Sequence, residues 1–226
     1  MVITLIRKMY RPFSRGDLDE WGGVCTARPS RLELFGSLFQ AFRRDRDMHP
    51  RTAELLRHLD SQHERLRRAV NDVPRNKREV KPSPERWSVA EVVEHLSIVE
   101  TRIARLFTVK LAEARAAGLG RELNESPVVG TIDMDRLLDR TRRITAADAA
   151  LPTGKLDCDA AWAAHERARE AICTSVRSAD GLAIGEIAHP HPVLGTINLY
   201  QWIAFVGGHE ARHAAQIMEV RDLLSS

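Results

Sequence analysis

Between Thr196 and Leu224 the apolar residues recur with the period of an α-helix, and two histidines fall among them. Take His209 as the reference direction and add about 100° per residue. Trp202, Phe205, Val206, His213, Gln216 and Val220 then all lie within about 60° of it. A helix that turns this face inward places two imidazoles one turn apart, roughly 6 Å between Cβ atoms. Each buried imidazole costs desolvation unless a partner satisfies it. A single divalent metal ion satisfies both. The stretch therefore predicts one wall of a helical bundle, with chemistry carried on its inner face.

The rest of the chain agrees with an all-α fold. Aromatic residues make up only 5% and charged residues 29% of the 226, a mix that favours helices over sheets. No strand pattern of any length is evident, and no 20–50-residue repeat. Four amphipathic segments stand out. The first runs from about Thr52, a candidate cap, to Val73, with Leu55, Leu56, Leu59, His63, Leu66, Val70 and Val73 on one stripe. The second opens on Ser88 with Glu91 three residues on, the pattern of a capping box. It carries Val92, His95, Val99, Ile103 and Leu106 inward before Gly118 and Gly120 stop it. The third starts at Asp157 or Asp159 and places Trp162, Glu166, Arg169, Cys173 and Val176 on one face. The last begins between Thr196 and Asn198.

A long connection over 119–156 separates the second and third segments. Within it, Asp133 to Ile144 predicts a shorter helix turning Met134, Leu137, Leu138 and Ile144 inward. The loop holding His189-Pro190-His191-Pro192 cannot be helical. Four helices with a long crossover between helices 2 and 3 make a four-helix bundle. Residues 48–226 are assigned to it. Residues 1–47 are expected to be a poorly ordered extension or to carry a short amphipathic helix through Leu34, Phe35, Leu38, Phe39 and Phe42.

The net charge is +3, with acids and bases interspersed. No concentrated basic stripe marks a nucleic-acid surface. Cys25, Cys158 and Cys173 form no C-x-x-C pair or disulfide framework, which fits a reducing compartment. No apolar run is long enough for a signal h-region or a membrane span. The expectation is a cytoplasmic protein with neither membrane nor nucleic-acid partner, acting on a small molecule.

His209-Glu210-Ala211-Arg212-His213 also reads as H-E-x-x-H, the zinc-protease signature. Those enzymes take a third ligand from downstream. Only thirteen residues follow His213, they contain no histidine, and Glu219 lies on the same helix. The third ligand is therefore sought upstream. His95, central on the second stripe, is the first candidate, with His63 and His191 as alternatives. His49, His58 and His165 are expected at the surface. Glu210 lies about 100° from His209 on the wheel. It is the candidate catalytic base toward a metal-bound water; the other reading is a solvent-facing residue at the edge of the stripe. Glu91 is accounted for by the capping box. Glu166 and Arg169 either line a cavity or pair across one turn.

Three motifs in order carry a family resemblance: Trp87-Ser88-x-x-Glu91-x-x-x-His95-Leu96; His191-Pro192-x-Leu194-Gly195 leading to Asn198-x-x-x-Trp202; and His209-x-x-x-His213-x-x-Gln216-Ile217. Over residues 50–224 the chain resembles the DinB/YfiT-like metalloproteins. The resemblance implies a DinB-like four-helix bundle holding zinc or nickel on His95, His209 and His213. It implies a homodimer. It also implies a thiol-dependent S-transferase whose metal activates a low-molecular-weight thiol such as bacillithiol or mycothiol. A metal-dependent hydrolase using Glu210, and a non-enzymatic metal-binding stress-response protein, are the alternatives.

Overall fold

Four long helices and a small hairpin are seen in the computed structural model. Residues 48–142 and 144–225 are described. The extension expected over 1–47 lies outside the described residues. The long helices are α1 (Pro50–Asn71), α2 (Val89–Ala116), α4 (Cys158–Ser178) and α5 (Leu199–Ser225). A short α3 (Met134–Leu138) sits in the crossover between α2 and α4. α2 packs chiefly against α4, and α1 against α5.

The helix starts follow from local chemistry. α2 has its capping box in full: Ser88 Oγ accepts from the Glu91 amide at 3.2 Å, and Glu91 Oε2 accepts from the Ser88 amide at 2.8 Å. Such a cap contributes about 1 kcal/mol. Asp157 caps α4 through the Ala160 amide at 2.7 Å. α1 begins two residues before the expected Thr52, because His49 is the cap and Pro50 suits the first helical position.

Other boundaries differ more. The helix expected over 133–144 is only Met134–Leu138, and Leu138 and Ile144 are exposed. Asp139 leaves the helical conformation, and its carboxylate turns back to the Thr141 amide at 2.9 Å. The loop around His189–Pro192 contains β1 (Ala188–His191), which pairs antiparallel with β2 (Gly195–Asn198). Four-residue strands with a proline on one are too short to show an alternating pattern. Gly195, at φ +76°, takes the left-handed turn conformation that other residues resist. The Trp202 indole donates to the His189 carbonyl at 3.3 Å and ties the hairpin to α5.

The core is divided in two. One apolar cluster gathers Leu55, Leu59, Ile103, Phe107, Ile172 and Ile203 with their neighbours. The other gathers Leu66, Val70, Val93, Leu96, Ala161 and Ile217 with theirs. Between these clusters every long helix carries polar residues: His63 on α1, Glu100 on α2, His165 and Arg169 on α4, His209, Glu210 and His213 on α5. Each fully buried Leu, Ile or Phe contributes about 1.5–3 kcal/mol. The two clusters thus hold between them a layer of titratable groups that would not stay buried by itself. None of the described helices is long and apolar enough to cross a membrane.

Candidate metal centre

α2 brings His95 to the same point as His209 and His213 of α5. The Nε2 atoms of His95 and His209 lie 3.4 Å apart, and those of His213 and His209 3.0 Å apart. A coordinating atom from each of the three lies within 4.8 Å of the others. His95 and His213 are buried, and His209 keeps partial access to solvent.

The outer nitrogens decide which protons are present. His95 Nδ1 is 2.7 Å from the Ala150 carbonyl, which can only accept. His213 Nδ1 is 2.8 Å from Gln216 Oε1. That amide atom is the oxygen, because Arg140 also donates to it at 3.4 Å. Both rings therefore carry their proton on Nδ1 and present a bare Nε2 lone pair to His209. One His209 N–H can satisfy only one of them. Burial pulls the pKa of His209 and His213 well below the usual imidazole value, and lowers that of His95, so added protons do not fill the deficit. Three converging imidazoles, two of them oriented by outer hydrogen bonds, fit a divalent ion that takes nitrogen ligands.

The crossover closes over this centre. Arg212, buried within α5, donates to the carbonyls of Leu137 (2.9 Å), Asp139 (2.7 Å) and Arg142 (2.8 Å). From α2, Arg102 donates to the Ala149 carbonyl at 3.0 Å, and Glu94 accepts from Thr153 and the Gly154 amide. Trp87 packs against His95 with ring centroids 5.0 Å apart, and Phe205 stacks on His209 at 5.2 Å. Just before His209, Gly207 and Gly208 let α5 approach its neighbours. A Cβ on Gly207 would come within 2.6 Å of His58 Cδ2, and one on Gly208 within 2.5 Å of Leu137 Cδ2. Two glycines inside a helix cost about 2 kcal/mol in propensity, and the close approach accounts for their place.

The remaining histidines part company from this centre. His191 is buried and packs its ring 4.3 Å from Phe205. Its Nδ1 accepts from the Val193 and Leu194 amides, both at 3.1 Å, so it shapes the hairpin turn. Burial lowers its pKa to about 4. His63 belongs to a second cluster. His165, expected at the surface, is fully buried in that cluster. His58, also expected at the surface, is half-buried with Nε2 3.1 Å from the Ala204 carbonyl. Of the expected third-helix face, Arg169, Cys173 and Val176 are buried, whereas Trp162 is half-buried and Glu166 exposed. Ala161, His165, Ala168 and Ile172 complete the buried face of α4, along a line where small alanines gave little signal.

Glu210 is not grouped with the three imidazoles. Its Oε1 is 3.3 Å from His63 Nδ1 and 3.2 Å from His165 Nε2, and its Oε2 is 3.6 Å from the Arg169 guanidinium. Burial alone would raise its pKa, but the hydrogen bonds from His165 and His63 and the charge of Arg169 hold it well below the usual carboxylate range. A carboxylate so engaged is a poor base for a water at the other cluster. Glu166 is exposed and pairs with His63 at 3.1 Å, whereas Arg169 is buried beside Glu210 and reaches Asp60 at 2.9 Å, so of the two readings for these residues the pair across one turn does not form. Glu100 was missed by sequence reasoning. The available signal was its position in line with Leu96, Ile103 and Phe107, a carboxylate on an apolar stripe.

Comparison with known proteins places this geometry in a family. The sequence is 24% identical over 142 residues to the uncharacterized protein YuaE of Bacillus subtilis (strain 168), a match covering 63% of this chain and 82% of that protein. No solved structure matches the chain. The sequence profile of the DinB superfamily matches residues 58–217, a span that holds both halves of the histidine centre, and the chain belongs to that superfamily.

Proposed function

We propose that this protein is a metal-dependent S-transferase in which His95, His209 and His213 hold a zinc or nickel ion and a low-molecular-weight thiol is the cosubstrate. The observation that carries the reading is the pair of bare Nε2 lone pairs aimed at His209, with the ring protons committed to Ala150 and Gln216. A bound divalent ion supplies a Lewis acid that lowers the pKa of a thiol beside it.

The chain's own groups do the positioning. The Ala150 carbonyl and Gln216 fix two rings, and Phe205 holds the third by stacking. The described cysteines do not serve as the nucleophile. Cys158 and Cys173 are buried, and burial pushes the Cys158 thiol up to about 11. In this reading the sulfur arrives with a cosubstrate. In the transfer, sulfur bonds to the electrophilic carbon, the bond to the leaving group breaks with its electron pair, and the thiol proton passes to solvent.

The test is zinc- or nickel-loaded protein with a low-molecular-weight thiol and chlorodinitrobenzene, following the thioether product. Turnover is expected in the wild type and absent in His95→Ala, which also loses its metal. Equal rates in the two proteins overturn the proposal.

A further inference from the structure

The second polar cluster has its own chemistry. α1 supplies His63, α4 supplies His165 and α5 supplies Glu210, and a coordinating atom from each lies within 4.8 Å of the others. His63 Nδ1 and His165 Nε2 stand 3.3 and 3.2 Å from the same oxygen, Glu210 Oε1. Ligands held about 2.0–2.2 Å from a tetrahedral ion lie about 3.3–3.6 Å from one another. The spacing therefore suits one ion as well as it suits hydrogen bonds.

Counting protons and unpartnered atoms separates the two. A neutral His63 has one N–H but faces two carboxylates, Glu166 at Nε2 (3.1 Å) and Glu210 at Nδ1. His165 Nε2 likewise faces two, Glu100 at 3.0 Å and Glu210. Glu100 Oε2 and Glu210 Oε2 are buried with no hydrogen-bond partner, and so is His165 Nδ1. While no ion is bound, the two buried carboxylates are answered by Arg169, which shares its charge with Asp60 outside, and by the proton on His165, and one oxygen of each still lacks a hydrogen bond. A divalent cation held by Glu210 and the two rings takes the place of that proton and uses the His63 lone pair. Glu166 then holds the outer Nε2–H of His63, the carboxylate–imidazole arrangement common behind metal ligands. The His63 side chain keeps 16% of its exposure and Glu166 48%, so an ion has a way in between α1 and α4.

We propose that His63, His165 and Glu210 form a second divalent-metal site, separate from the three-histidine centre and of the two-histidine, one-carboxylate class that zinc occupies. Glu100 is the nearest further oxygen to it. This proposal stands independently of the transferase reading, since it needs neither thiol nor turnover.

The probe is zinc alone. Full-length protein is stripped, reloaded, freed of loose metal and analysed for zinc per chain, in the wild type and in the variants His95→Ala and His63→Ala. Two ions are expected in the wild type and one in each variant. One ion in the wild type and none in His95→Ala overturns the second site and leaves the first intact. One ion that survives His95→Ala and is lost in His63→Ala supports the second site and removes the first. Two ions retained in His63→Ala overturn the assignment. A further readout avoids the His63 substitution. Trp162 lies 5.2 Å from the His63 ring and 5.6 Å from His165, so cobalt bound there quenches its fluorescence. In the His95→Ala background, a cobalt-dependent quench abolished by Trp162→Phe is expected. No quench at saturating cobalt overturns the proposal.

Discussion

His209 and Glu210 are neighbours in the chain, yet they serve two polar clusters with opposite protonation. Around His209 the rings of His95 and His213 present bare nitrogens, and burial with no carboxylate in the group drives their pKa values down. Around Glu210 the same degree of burial has another outcome. Burial alone would lower the pKa of His165, but Glu100 and Glu210 beside it hold it at about 10. The metal-free bundle therefore carries uncharged imidazoles on one side of α5 and a charged imidazole on the other. Burial sets the cost in both places; the neighbours decide which form of the ring bears it.

The largest effect should come from removing the charged ring. His165→Leu leaves Glu100 and Glu210 buried without their shared donor. Losing one partner of a buried ionic network costs about 3–5 kcal/mol. Chemical denaturation of metal-free protein should show a loss of that size, with much of it recovered in His165→Leu/Glu100→Leu. A loss below about 1 kcal/mol would mean that the cluster is not ionised as described.

A smaller effect, also of opposite sign in the two clusters, comes from pH. The folded pKa values of His95, His209 and His213 lie below the unfolded value of about 6.5. The stability these rings contribute is present above that pH and lost as pH falls toward the lowered values. Each ring then contributes a slope of about 1.4 kcal/mol per pH unit. His165, with a folded pKa raised to about 10, contributes fully below about 6.5 and less as pH rises toward 10. Metal-free protein should thus lose stability on both sides of neutrality, and His165→Leu should remove the alkaline arm alone. Equal stability of metal-free wild type at pH 7 and pH 5 would count against the neutral rings.

The two clusters were also unequally legible in the sequence. His209 and His213 announce themselves by spacing, and His95 by its place on a well-capped helix, because each sits on a stripe of large apolar residues. The second cluster is written in weaker marks. Glu100 is one acid among many, and only its alignment with Leu96 and Phe107 sets it apart. His165 lies on a stripe built from Ala161 and Ala168, whose small side chains contribute little to any hydrophobic pattern. Trp162 drew the expected face toward itself, although in the fold it is only half-buried against His63. The hairpin and the short α3 depend on local turns and on Arg212 gathering three crossover carbonyls, an interaction across about seventy residues. Periodicity carries no record of such contacts.

Gln216 gives the smallest and most selective test of the comparison, because it touches one cluster only. Its oxygen accepts the His213 Nδ1–H at 2.8 Å, while its other neighbour, Arg140, is held independently by Glu219 at 2.7 and 3.0 Å. Gln216→Leu therefore removes the acceptor that fixes the His213 tautomer and leaves the crossover anchored. Loss of such an outer partner typically lowers metal affinity about 10–100-fold. Competition against a chromophoric chelator should show that drop, with little change in the stability of the metal-free fold. Gln216→Glu keeps an acceptor at the same place and should restore the affinity. If Gln216→Leu binds zinc as tightly as the wild type, the ring is oriented by packing alone. The proton count that distinguishes the two clusters would then have to rest on His95 and Ala150.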